Sequence, residues 1–340
     1  MELQSIWFFL WGLLWAVFFV TDGFDFGVGT LLPFFGKTEE EKKIIMASVG
    51  PLWDGNEVWL ITAGGVTFAA FPKVYAVMFS TLYTPLMLIL FALIIRGVSF
   101  EFRNQIQSRQ WKNFWDGCFF IGSIAPAILF GVAFGNIFQG IPFDLNGVLH
   151  GNLFTFLNPY ALLAGILFLA LFLQHGNLWL NIKTEGELNE RAQNFAGKIW
   201  IAVLVLAVAF LVASYFATNL YANYLKWPAL FLIIIFTVVS LVLVRFYIAK
   251  KAYFKAWFAS SGTIIGATFF GVTGLFPVMF PSSIASNLHL TAFNASSSPL
   301  TLKIMLGVTL VFIPIVIVYQ AYTYKLFSGK VTDDEANHGY

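Results

Sequence analysis

Apolar runs long enough to cross a bilayer recur along this chain of 340 residues, and no other feature narrows its fold as much. A helix needs about 20 apolar residues to span the hydrocarbon. Nine windows of that kind lie at roughly 5–34, 47–71, 74–96, 114–136, 158–182, 197–218, 227–248, 256–278 and 301–326. Charge and turn residues fall between them, as in G-K-T-E-E-E-K-K at 36–43, F-R-N-Q-I-Q-S-R at 102–109 and T-E-G-E-L-N-E-R at 184–191. Only 11% of the residues are charged, against about 25% in soluble domains. The expected fold is an all-α polytopic integral membrane protein. Its nine transmembrane helices form a single transmembrane domain over residues 1–340. The opening M-E-L-Q-S has no Lys or Arg before the first apolar run, so that run reads as a retained helix rather than a secretory signal.

Orientation follows from the basic residues. With nine spans, one side collects Lys37, Lys42, Lys43, Arg96, Arg103, Arg109, Lys112, Lys183, Arg191, Lys198, Arg245, Lys250, Lys251, Lys255, Lys325 and Lys330. The other side collects only Lys73, Lys226 and Lys303. The expectation is an N-terminus outside and a C-terminus in the cytoplasm.

Against that apolar background the acids stand out. Asp22 and Asp25 lie in T-D-G-F-D-F-G, and Asp54 and Glu57 in W-D-G-N-E-V-W. A charged side chain at a helix centre costs about 2.5–3.5 kcal/mol on insertion scales. The expected orientation puts Asp25 roughly 14 Å and Asp54 roughly 10 Å from the cytoplasmic edge. Each pair is three residues apart and shares a helix face. Arg96, closing the third span, is a cation placed to pair with them. Two readings stay open: a proton or cation entry path, or acids in a first helical turn after Pro51 that reach water and favour the helix dipole.

Other signals are weaker. The glycines of Thr62–Gly65 and Gly27–Gly29 read as close-packing positions. Cys118, the one cysteine, excludes an internal disulfide and a cysteine-cluster metal site. A net charge of +2 gives no reason to expect a nucleic-acid partner. Asn294-Ala295-Ser296 matches a glycosylation sequon, a pattern too common to carry a role. His150 and His289 fall in outer connections, His175 near the inner end of the fifth span, and His338 in the tail. No facing His or Met pair emerges for haem iron, so catalytic, cofactor and metal sites on this chain are expected to be none.

T-D-G-F-D-F-G-V-G followed by G-P-L-W-D-G-N-E-V-W-L-I-T-A-G-G resembles subunit II of the cytochrome bd-type quinol oxidases. The likeness continues through R-G-V-S-F-E-F-R, G-V-A-F-G-N-I-F-Q-G-I-P-F and L-F-P-V-M-F-P-S-S, essentially the whole chain. It implies a nine-helix subunit in a pseudo-symmetric heterodimer with an oxidase subunit I, in a bacterial cytoplasmic membrane. That partner would hold b-type haems, haem d or a b-type replacement, and the quinol site, with small accessory membrane subunits a further expected partner. The complex would oxidise quinol and reduce O2 to water. This chain would support subunit I and line a cytoplasmic proton path.

By motif, Asp54 matches the family's proton-path acid, Arg96 a basic residue grouped with it, and Asp25 a nearby acid. Glu57 stands where some members have Gln. The connection at about 219–226 is short where some members carry a long insertion. A carboxyl balanced between burial and the Arg96 charge takes and releases protons readily. The rival from another class is a proton- or cation-coupled secondary transporter, against which the odd helix count and the lack of an inverted repeat both weigh.

Overall fold

The computed structural model describes residues 2–332; His338 of the tail lies outside the described residues. The helices are α1 (Leu3–Phe35), α2 (Glu39–Ala47), α3 (Trp53–Ala70), α4 (Pro72–Thr81), α5 (Tyr83–Phe102) and α6 (Arg109–Gln139). They continue as α7 (Pro159–Lys183), α8 (Gly186–Ala217), α9 (Tyr221–Lys226), α10 (Phe231–Ala249), α11 (Tyr253–Leu275) and α12 (Pro299–Leu326). Between α11 and α12 a small antiparallel hairpin pairs β1 (Val278–Phe280) with β2 (Leu290–Thr291).

Among the described residues, eight helices are long and apolar enough to cross a membrane: α1, α5, α6, α7, α8, α10 with its leading turn, α11 and α12. The second window, 47–71, departs from expectation. Its membrane-length part is the 18-residue α3, which starts only at Trp53 and carries Asp54, Asn56 and Glu57 near that start. Those polar residues keep α3 out of the eight. Residues 39–47, within and beside a stretch expected to be a turn, form α2. The Thr38 hydroxyl accepts from the Glu41 amide while the Glu41 carboxylate reaches back to the Thr38 amide, a reciprocal cap that starts a helix without apolar residues.

Two further windows differ for local reasons. The third, 74–96, is broken at Leu82 into α4 and α5. Pro85 has no N–H to donate to the carbonyl of Thr81, so the ladder is interrupted just before it. The sixth begins eleven residues before position 197, because Gly186–Ala196 is the polar start of α8. Hydropathy sees the apolar part of a helix and misses its wet extension. The remaining windows agree with their helices to within about five residues, the usual scatter of helix ends being smaller. Asn158 and Ser298 cap α7 and α12, each followed by proline at the first helical position, where the missing N–H costs nothing.

α1 is the axis of the molecule, packing on α3, α6, α7 and α11. Glycines let backbones meet. A Cβ on Gly27 would lie 1.9 Å from the Phe172 carbonyl oxygen, and one on Gly176 would lie 2.5 Å from the Val28 nitrogen. The packing role expected of Gly27–Gly29 is therefore realised between α1, α7 and α6. The same expectation for Thr62–Gly65 fails within this chain: a Cβ on Gly64 or Gly65 would meet nothing within 4 Å. α12 stands at the periphery, with Leu302 its one buried residue.

Candidate functional site: a buried carboxylate and arginine cluster

The acids of α1 are inside the protein. Asp22 is 0% and Asp25 2% exposed, one helical turn apart on a face that meets α3 and α5. Arg96 of α5, also 0% exposed, brings its Nη2 to Asp22 at 2.8 and 3.0 Å and to Glu57 Oε2 at 3.2 Å. Its guanidinium carbon sits 4.4 Å from the centre of the Phe26 ring. One cation therefore bridges α1, α3 and α5, while Asp25 has no ion-pair partner among the described residues. Buried charges persist where they are paired and hydrogen-bonded, and the pairing here is uneven.

Asn56, fully buried on α3, ties Asp25 to α12. Its Nδ2 donates to Asp25 Oδ2 at 2.7 Å. Its Oδ1 accepts from the Tyr324 hydroxyl at 2.7 Å and from Gln320 Nε2 at 3.2 Å. Gln320 Oε1 in turn accepts from Trp59 Nε1 at 2.8 Å. Asp25 Oδ1 and Arg96 Nε and Nη1 are buried with no hydrogen-bond partner among the described residues.

The residues read from the sequence thus divide. Asp25, Arg96 and Glu57 converge with Asp22. Asp54 does not join them: it is exposed and heads an outward stripe with Val58, Ile61, Gly65 and Phe68. The expected Arg96 partner is therefore corrected from Asp54 to Asp22 and Glu57. The cause is azimuth: Asp54 lies about 60° farther round α3 than Glu57, away from the line of Asn56, Ala63 and Thr67 that is buried in this chain. Asp22 was visible in the sequence through its three-residue spacing from Asp25. Asn56, Gln320 and Tyr324 carried no signal beyond their polarity inside apolar runs.

An axial haem ligand needs a histidine nitrogen or methionine sulfur free to face iron. Both ring nitrogens of buried His175 are engaged, Nδ1 with Ser260 Oγ and Nε2 with the Val20 carbonyl, each at 3.1 Å. His289 Nδ1 accepts from the Ser282 amide at 3.1 Å, and partial burial lowers its pKa. His150 Nε2 lies 3.0 Å from Asp144 on the surface. That hydrogen bond, with backbone amides behind it, holds the Asp144 carboxyl below its usual range. Buried His175 therefore offers no free nitrogen to an axial haem site, and among the described residues no group of three or more His, Cys, Asp or Glu is arranged to hold a metal ion.

Fold and cluster together define a polytopic membrane subunit with ionisable groups sealed at its core. The family described as cytochrome bd terminal oxidase subunit II matches residues 3–327. Cytochrome bd-I ubiquinol oxidase subunit 2 of Escherichia coli K12 is 37% identical over 371 aligned positions, covering 98% of this chain and 96% of that one. Cytochrome bd ubiquinol oxidase subunit 2 of Bacillus subtilis 168 is 36% identical over 339 positions, with 98% of each chain covered. A chain in the structure of bd oxidase from Geobacillus thermodenitrificans superposes with a TM-score of 0.80 at 14% identity, covering 96% of this chain and 99% of that one. The chain belongs to the cytochrome bd terminal oxidase subunit II family. It is a subunit of a terminal oxidase, and the transporter alternative is set aside.

Proposed function

We propose that this chain is the supporting subunit of a quinol-oxidising, O2-reducing complex in a bacterial cytoplasmic membrane, and that it carries part of the cytoplasmic proton route. The observation that carries the reading is the cluster of buried Asp22, Asp25 and Arg96 with half-buried Glu57, beside an outward-facing Asp54. Arg96 pairs with Asp22 and Glu57. Asp25, without a cation, is the member that can exchange a proton without breaking an ion pair. Asp54 stands at the outer edge of α3 as the receiving group, where a partner subunit would complete the route. Haems b and d, or a b-type replacement, belong on the partner subunit I, a reading supported by His175, the buried histidine of the described residues, having both ring nitrogens engaged. When bound there, haem supplies the electron transfer and oxygen chemistry.

In this reading α3 is a ninth crossing. Its Asn56 end lies level with Tyr324, and its Ala70 carbonyl accepts from the Ser297 amide at 2.8 Å. α3 therefore runs beside α12 from one end to the other, about 27 Å at the helical rise. The basic residues then set the N-terminus outside and the C-terminus in the cytoplasm. All of residues 1–340 act as one transmembrane domain, with small accessory subunits able to join the complex.

The test uses the purified complex. Asp25→Asn and Asp54→Asn are expected to retain the haem spectrum of the parent and to slow quinol-driven O2 consumption at least tenfold. Full turnover in both fully assembled variants would falsify the proton-route reading.

A further inference from the structure

The hydrogen-bond chain leading to Asp25 has a direction that can be read without ambiguity. An indole N–H only donates, so Trp59 Nε1 fixes Oε1 as the Gln320 atom that faces it at 2.8 Å. Gln320 then presents Nε2 to Asn56 Oδ1 at 3.2 Å. The Tyr324 hydroxyl meets the same oxygen at 2.7 Å. With two donors on its oxygen, the Asn56 amide must turn its NH2 toward Asp25 Oδ2, which it reaches at 2.7 Å. The relay leaves one oxygen over: Asp25 Oδ1, buried and unpartnered among the described residues.

We infer that Asn56, Gln320 and Tyr324 are positioning residues that hold the Asp25 carboxyl in a single orientation, so that Oδ1 is the atom that takes and releases the proton. The inference rests on the reading of Asp25 as a proton-transfer group. It also gives α12 a purpose. This helix buries only Leu302, yet two of its polar side chains close the relay. A displacement of α12 breaks both donors to Asn56 at once and frees its amide to rotate. Asp25 is thereby coupled to whatever packs against α12. No proton passes through the amides themselves; they orient, and Oδ1 exchanges.

The test compares four variants of the purified complex, each checked for the parent haem spectrum. Turnover is followed against pH, and the Asp25 carboxyl C=O band is followed by infrared difference spectroscopy, the band being identified by its loss in Asp25→Asn. Gln320→Glu keeps an acceptor for Trp59 but removes the donor to Asn56, reversing the relay. Its expected effects are a turnover about fivefold lower, the scale of one net hydrogen bond, a displaced pH profile and a shifted band. Tyr324→Phe removes one of the two donors and shifts band and profile in the same sense by less. Asn56→Leu shifts both most. Should that last variant fail to assemble, the first two carry the test alone. Slow turnover in Asp25→Asn with unchanged rate, profile and band in Gln320→Glu and Tyr324→Phe overturns the positioning role and leaves the proton route standing. Normal turnover in Asp25→Asn removes the reading of Asp25 as a proton-transfer group and the positioning role with it.

Discussion

Arg96 shows how much one side chain decides in this fold. Its Nη2 reaches Asp22 on one helix and Glu57 on another, and Phe26 lies against the guanidinium face. Removing one partner of a buried pair leaves the other charge stranded, at a cost of about 3–5 kcal/mol. Arg96→Leu is accordingly expected to lower the unfolding temperature of the detergent-solubilised chain sharply, and Asp22→Asn on top of it to restore part of the loss. A double variant no more stable than Arg96→Leu alone would contradict that coupling. Arg96→Lys should not rescue, because an ammonium cannot offer the planar fork or the same stacking. The sequence made these residues visible through type and spacing alone. Depth along a helix can be counted from its end, but the side to which a residue points depends on where the helix starts. The sequence therefore offers Arg96 to the acids as a group, while the folded chain gives it to Asp22 and Glu57 and leaves Asp54 exposed.

The elements were legible where apolar length was the signal, and blurred where polar chemistry set a boundary. α2 is the clearest case. The T-E-E-E spacing that caps it is readable, yet a search for apolar windows passes over it. Its first turn is pinned by Glu41, whose carboxylate accepts from the Lys37 amide at 2.7 Å and the Thr38 amide at 3.3 Å and pairs with Arg191 of α8. Partial burial opposes ionisation, but the Arg191 hydrogen bond and the two amides outweigh it and lower the Glu41 pKa from 4.5. A depressed folded value means the docking contribution is fully present above about pH 4.5 and fades as pH falls through the lowered value. Protection of the amides over residues 36–47, corrected for the intrinsic pH dependence of exchange, should be high at pH 7 and fall below pH 4.5, and Glu41→Gln should remove that dependence. The α1–α7 crossing makes a second demand on an element. Gly27→Leu would drive its side chain into the Phe172 carbonyl, where backbone cannot yield as a flexible side chain does. Overpacking costs about 1–3 kcal/mol even in cores that adjust. The expected result is loss of folded chain by size-exclusion chromatography, with Gly307→Leu, in open space on α12, as the tolerated control.

At the scale of the whole molecule the outward stripe of α3 does not suit lipid. Val58 and Ile61 are 48% and 72% exposed, which a bilayer would accept, but Asp54 heads the same stripe, and a carboxylate facing hydrocarbon is costly. Gly64 and Gly65 on α3 leave room for a backbone to approach, as glycines at membrane helix interfaces do. An apolar groove of about 630 Å³, floored by Trp11 and Trp15, runs beside them toward α4 and α5. Beyond the polar start of α8, the exposed faces of α8 and α10 carry no acid, so they read as lipid-facing and the α3 side as the side of the partner subunit. None of this is legible from the chain alone: the glycines read as packing positions, and only the folded molecule shows that nothing in this chain packs against them. The distinction can be tested cleanly, because a Cβ at Gly65 or Gly197 meets nothing within 4 Å in this chain. Neither Gly65→Leu nor Gly197→Leu should destabilise the isolated subunit. Gly65→Leu is expected to abolish co-purification of haem with the tagged chain, while Gly197→Leu on α8 retains it. Equal haem recovery from the two variants would move the partner to another face and leave Asp54 without a neighbour to receive its proton.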